Sequence, residues 1–516
     1  MESCDSALRT LAFPRNLASA RAAMQRLEEL RVAAHTLPAL ERHRGDDSGL
    51  EGTTSRHCFD LGLASWLVAR FPHDAEVDWS ASGAAEAAAE LARPSVTRLE
   101  EEGFDSDTLT MHRWILRARG HAWPSDLAWL LDALADTGDS LPRRAAAWEA
   151  AALPIKWQLR QSGVLNAHIR GTRPRVRQHL RPPPHDTARF VASAPPPSQR
   201  PRRLTLREAV EIIDLARATL AARCREVHAL SYANPHELWW SDLGAGTALA
   251  VIGVIPAMRL PLEGNYAFVL FANGVPVGYG GVSPLAAQAN TGLNIFPAFR
   301  GTEASALWAR TLRCFHALFG VRRFIVNPFQ VGEGNPEALA SGAFWFYHRL
   351  GFRPVDAMTR GLAERLAASP RRAASRETQR LATADLALRL PGWHKRDAFD
   401  ERWLATLSLQ ASSRIAREGH VDRHEAVGHI VRRLRRQLQL PAAAPKSEAA
   451  SALQDLAPLA DALLALDDRA SVRQALRGWI RAKAAPQERA AVTAIRTLLP
   501  LLRRLATSSP ASDPPA

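Results

Sequence analysis

The sequence is 516 residues long, 47% hydrophobic and 23% charged. That is too long for one ordinary core, so roughly two to four domains are expected, and too apolar for a disordered chain. The net charge of +14 admits an anionic partner, but the cations are almost all arginine, with lysine only at Lys156, Lys395, Lys446 and Lys483. They read first as solvated helix faces, which leaves nucleic acid a less favoured partner.

Residues 1–170 read as a helical region, with apolar residues at helical spacing in 17–34 and 114–134. Trp114, Trp123, Trp129, Trp148 and Trp157 fall where core anchors would. The acids Glu2 and Asp5 do not fit a signal peptide. Cys4, Cys58, Cys224 and Cys314 are far apart and form no CxxC pair. The most apolar stretch, 247–256, is far short of a membrane span. A cytoplasmic chain with no membrane partner is the expectation, and nothing fixes an oligomeric state.

Residues 171–203 are dense in proline and arginine with no period, and read as an extended linker. Residues 204–243 read as helical again, opened by a capping box in which Thr205 precedes Glu208 by three. The pattern then changes. Residues 247–254 are a continuous apolar run, and 266–271 (YAFVLF) and 275–281 are joined across Asn273-Gly274, a strong hairpin signal. A strand is expected at 291–296, a helix at 302–319, a strand at 323–326, and a helix ending at Leu350, where Gly351 sits as a C-terminal cap needing positive φ. From about 357 the chain reads as helical to 505 (369–505 as a separate region), with a disordered tail at 506–516. The fold class is therefore α+β, a mixed sheet flanked by N- and C-terminal helical regions.

Within the central segment, NIFPAFRGTEAS (294–305) is a strand end, a turn and a helix start. Such a turn gathers backbone N–H groups and the positive helix end at one spot, which suits phosphate. The hairpin with its Gly278-Tyr279-Gly280 strand, the IFPAFRG turn, the strand at 324–326 and the run AFWFYHRLGF (343–352) follow in that order. Together they resemble the GNAT family of acyl-CoA N-acyltransferases, over residues 265–354, within a domain placed at 204–368.

The resemblance implies a specific chemistry. Acetyl-CoA would be the acyl donor, its pantetheine pairing with a splayed strand around Ile295 and Phe296, and its pyrophosphate on Arg300, Gly301, Thr302, Ala304 and Ser305. A small-molecule or peptide amine would attack the thioester directly in a ternary complex, and Tyr347 would protonate the leaving thiolate. Glu333 and Asn335, in the long connection 327–342, are candidates for the base, with Glu337, Glu263 and His228 behind them. No metal is implied.

The sequence also departs from the family. Glu303 and Ser305 stand where the loop form R-x-x-G-x-G/A has glycine or alanine, and a carboxylate about 4 Å from a phosphate costs about 4 kcal/mol at a surface-like dielectric. Glu303 can instead point outward, as acids do at a helix start. The strand 291–296 carries no acid, and the closing strand expected after Phe352 is missing or very short. These departures keep a second reading open: an inactive scaffold or ligand-sensing module of the same fold.

Two other patterns are weak. In HExxxH (His424, Glu425, His429) the second histidine turns off the shared helix face, and His420 and His424 lack a third ligand. Arg432, Arg433, Arg435 and Arg436 form a basic helical run, read first as a solvated face.

Overall fold

The computed structural model describes residues 2–36, 46, 51–105, 108–160, 175–176, 180–181, 185–301, 303–369, 375–419, 422–442, 444 and 447–508. The fold is mixed α+β, with helices flanking a mixed sheet.

The N-terminal region is not helical throughout. Strands β1 (Thr54–His57), β2 (Ala75–Val77) and β3 (Ile155–Gln158) form an antiparallel sheet in the order β1-β3-β2. In β3, Ile155 and Trp157 are fully buried while Lys156 and Gln158 are not, a period of two too short to stand out among alanine-rich helices. Trp157 is thus a strand anchor, and Trp148 is a helix anchor whose indole N–H donates to the Phe59 carbonyl at 2.9 Å.

The main sheet contains β4 (Arg202–Arg203), β5 (Ala233–Gly244), β6 (Thr247–Val254), β7 (Tyr266–Ala272), β8 (Val275–Leu285), β9 (Gln288–Thr291), β10 (Asn294–Ile295), β11 (Arg323–Val326), β12 (Arg353–Pro354) and β13 (Leu386–Arg389). Its order is β12-β13-β11-β9-β8-β7-β6-β5-β4, with β10 also on β8. Asn273 and Gly274 take positive φ and close the β7–β8 hairpin as their pair predicts. Strands β6 and β7 are buried along their whole length. Tyr266 and Phe268 meet the helix Ala304–Phe319 through Phe319, Phe315 and Trp308.

Three expectations are corrected here. The helical reading of 204–243 holds for Leu206–Ala221, with its capping box, but 233–244 is β5. The strand after Phe352 is very short, as expected, β12 having two residues, but the sheet does not end within the expected domain: β13 lies antiparallel between β11 and β12, beyond the boundary placed at 368. The described part of the linker is folded, since Asp186 caps the helix Thr187–Ala192 and the guanidinium of Arg313 lies 4.5 Å from the Phe190 ring. Residues 171–174, 177–179, 182–184 and 509–516 lie outside the described residues.

One apolar cluster runs from Ala7 to Leu390 and takes in Val492, so the N-terminal region and the sheet share a core. The join is polar in places. Half-buried Glu226 accepts the backbone N–H of Asp60 at 2.9 Å, and its burial, reinforced by the Asp60 charge, pushes its carboxyl up to about 7.

A second cluster is built by the helices Trp403–Ala416, Arg423–Gln437, Glu448–Leu466, Ala470–Ala484 and Arg489–Thr507. Inside it, buried Asp461 accepts from Arg414 and Arg433, and Arg433 also pairs with Glu418. One member of the expected basic run is therefore anchored in the bundle. The helix Glu448–Leu466 is long and apolar enough to cross a membrane, and 56% of that window is buried against the bundle.

The bundle meets the sheet at a buried polar knot. Glu237, with no exposed surface, accepts the Tyr266 hydroxyl at 3.0 Å and the backbone N–H groups of Glu488 and Arg489 at 2.7 and 2.9 Å. Lys483 donates to Glu488 and to the carbonyls of Leu260 and Glu263. Truncating Glu237 leaves several buried donors unsatisfied. Glu237→Ala is expected to lower stability by about 2–4 kcal/mol in urea denaturation.

A second prediction concerns pH. Because the folded state holds a Glu226 proton that the unfolded chain releases, its contribution is fully present below about pH 4.5 and lost as pH rises through about 7. Glu226→Gln keeps the acceptor and removes this titration. The melting temperature of Glu226→Gln relative to the parent should therefore be higher at pH 8 than at pH 5; an unchanged difference would count against the assignment.

Candidate functional site

The expected single strand 291–296 is two pieces. Strand β9 runs parallel to β11, with Gln288, Ala289 and Asn290 opposite Arg323, Phe324 and Ile325. Beyond Thr291 the chain leaves β11, and β10 pairs with β8, Asn294 opposite Tyr279 and Ile295 opposite Gly278. The glycines of the β8 strand allow this. A Cβ on Gly280 would stand 2.2 Å from the Gly292 carbonyl oxygen, and one on Gly278 2.8 Å from that of Asn294.

Tyr347 closes the place where β10 and β11 part. Its hydroxyl accepts the Leu293 backbone N–H at 3.0 Å. The phenol is fully buried, packed on Trp308, Phe346 and Phe352, and burial pushes it up to about 12. A phenol that accepts one hydrogen bond keeps its own O–H for another acceptor. Beside it, the indole N–H of fully buried Trp308 has no hydrogen-bond partner among the described residues.

The turn expected to hold phosphate follows. Pro297–Phe299 form a single turn, and the helix starts at Ala304 and Ser305. Thr302 lies outside the described residues. Phe296 stacks on Tyr279 and lies under the guanidinium of Arg223 at 5.1 Å. Arg300 is half-exposed and ion-paired with Glu337, which Arg225 also approaches at 3.4 Å. Arg9, from the helix Glu2–Ala12, donates to the Ala298 carbonyl at 3.4 Å. Arginines 9, 223, 225 and 300 thus surround the turn. Arg9, Arg223 and Arg225 come from distant segments, which is why spacing alone did not find them. Glu303 does not project into solvent: it is 9% exposed and its charge acts on Arg310.

The base candidates in 327–342 change role. Asn335 caps the helix Pro336–Ser341, accepting the Ala338 N–H at 3.1 Å and donating to the Phe329 carbonyl at 3.2 Å. Both ends of its amide are engaged in holding the chain. The signal was in the sequence, since Asn followed by Pro is a cap followed by the first helical position. Glu333 is exposed and its charge acts on Asp385, so nothing ties it to Tyr347. Glu337 is engaged by the two arginines. His228 stacks near Tyr232, at the join with the N-terminal region. Glu263 lines a cavity between sheet and bundle, where burial and the Glu401 charge push it up to about 7. Among the described residues no group of three or more His, Cys, Asp or Glu is arranged to hold a metal, and His429 pairs with Glu425 at 3.7 Å on the surface.

No protein-family model, no curated protein and no solved structure matches this chain. Function has to be argued from the arrangement itself.

The geometry predicts a strong effect at one glycine. Gly280→Ala forces the 292 carbonyl away from β8, so the substitution should cost about 2 kcal/mol or more in denaturant melts. In the same variant the Tyr347–Leu293 contact should loosen, read as faster exchange of the Leu293 amide hydrogen. A neutral substitution would mean that β10 does not lie on β8.

Proposed function

We propose that the chain is an acyl-CoA-dependent N-acyltransferase of the GNAT type, transferring an acetyl group from acetyl-CoA to an amine. The observation that carries this reading is the Tyr347 hydroxyl seated on Leu293 N–H where two parallel strands part. A gap of that kind offers strand edge to a pantetheine arm and places an acid at its end. Two further features support it: β13 extends the sheet beside the two-residue β12, and arginines surround the turn.

In this reading the neutral amine attacks the thioester carbonyl carbon and the C–S bond breaks. Tyr347 gives its proton to the leaving thiolate, and the amine proton passes to a base. With its pKa near 12, Tyr347 stays protonated across physiological pH, which fits an acid and excludes it as the base. Glu263 is the described candidate whose ordinary range is shifted toward neutrality. Arg300 would exchange Glu337 for the pyrophosphate.

One observation favours the rival reading, a silent module of the same fold. The cation expected to meet phosphate already has a carboxylate partner, and buried Glu303 adds negative charge beside the turn.

Calorimetric titration of acetyl-CoA and CoA separates the two. Micromolar binding is expected, weakened about tenfold in Arg300→Ala and tightened in Glu337→Gln, which frees two guanidiniums. Tyr347→Phe should bind acetyl-CoA similarly while amine acetylation falls about 100-fold. No binding at millimolar CoA would remove the enzyme reading in favour of the silent module.

A further inference from the structure

Sheet and bundle do not close completely on each other. A cavity of about 530 Å³ remains between them, the size of a small organic ligand. The ends of β8 and β9 and the connection 260–263 form one side, and the helices Trp403–Ala416 and Glu448–Leu466 the other. Its walls are largely apolar, from Leu262, Leu285, Leu404, Leu407, Leu456 and Leu459.

The charges on this cavity have one sign. Glu263, Glu401 and Asp455 line it, and among the described residues no lysine or arginine does, in a chain with a net charge of +14. The Glu401 carboxylate accepts the Asn290 amide at 2.8 Å, and none of the three carboxylates is in an ion pair among the described residues. Lys483, the cation whose charge acts on Glu263, directs its ammonium to Glu488 and two backbone carbonyls. Like charges facing apolar walls are costly unless a cation joins them.

We infer that this cavity binds an organic amine with an apolar body, its ammonium between Glu263 and Glu401 and its body against the leucines. Asn290, on the cavity wall, stands two residues before Gly292, where the chain leaves β11. Leu293 follows Asn290 by three residues, a reach of at most about 10 Å, with β9 ending at Thr291. That the bound amine is the acyl acceptor rests on the transfer reading above; that it binds does not.

The test is calorimetric titration of the full chain, without CoA, with 2-phenylethylamine and with its neutral counterpart 2-phenylethanol. The amine is expected to bind about tenfold more tightly than the alcohol. Glu263→Gln and Glu401→Gln should each weaken the amine about three- to tenfold and leave the alcohol unchanged. Ala411→Phe, which fills the cavity from its wall, should abolish binding of both with an unchanged melting temperature. The inference is overturned if the amine does not bind, if alcohol and amine bind alike, or if amine binding survives the double Glu263→Gln, Glu401→Gln variant. Amine binding by a chain that ignores acetyl-CoA would keep this site and remove the transfer reading. Acetyl-CoA binding by a chain that ignores the amine would do the reverse.

Discussion

Glu237 is a carboxylate that water does not reach, and the placing of the C-terminal bundle follows from it. It takes the hydroxyl of Tyr266 in β7 and the first N–H groups at the start of the helix Arg489–Thr507. Arg259 stands 3.8 Å away and donates to the carbonyls of Lys483, Ala485 and Pro486, so the turn before that helix is held from both ends. Buried charges of this kind are weak evidence for stability but leave little geometric freedom, because any displacement strands a donor or a charge. The bundle is thereby fixed over the sheet at one edge of the 260–263 connection, and the cavity is the space that this anchoring leaves beside it.

The same logic of backbone satisfaction governs the parting strands. When the chain leaves β11 after Thr291, strand-edge groups lose their neighbour, and buried backbone groups need partners. The pairing of β10 with β8 answers part of this, and Tyr347 answers another part by accepting the Leu293 N–H. Both depend on close approach: glycine at 278 and 280 below, and Gly292 above, where a Cβ would stand 2.4 Å from the Gln330 side chain. The site is set by backbone proximity more than by charge.

Much of this was legible in the sequence, and the misses share a cause. Asn273-Gly274, the Thr205–Glu208 box and Gly351 at positive φ are local devices, decided by a residue and its neighbours, and they stand as read. Strand β5 was not legible. Its Asn234, His236, Glu237, Ser241 and Asp242 break the apolar alternation, and the partners that hold Glu237 there are distant in the chain, Tyr266 by 29 positions and Glu488 by 251. Strands β1, β2, β3 and β13 have four residues or fewer and sit in alanine- and arginine-rich surroundings that read as helix. The candidate site divides the same way. Tyr347 and Arg300 were found because they lie in local runs, whereas the surrounding arginines and the cavity carboxylates are assembled from distant segments.

The arginine excess has a structural use that bulk charge does not reveal. Arg217 donates to the carbonyls of Leu230 and Ser231, Arg489 to that of Leu318, and Arg496 to those of Ala286 and Phe319. Arg353 and Arg360 do the same around β12. These carbonyls lie at helix ends and in connections, where the helix dipole and unpaired oxygens favour a cation. A guanidinium reaches several such oxygens at once, so long, irregular connections can be sealed without glycine or ordered strand. A net positive charge obtained this way says little about an anionic partner, which weakens the nucleic-acid expectation at its root. It also gives weight to the exception. Where cations are used so freely to satisfy the chain's own oxygens, a cavity lined by Glu263, Glu401 and Asp455 and, among the described residues, by no lysine or arginine is suited to a cation from outside.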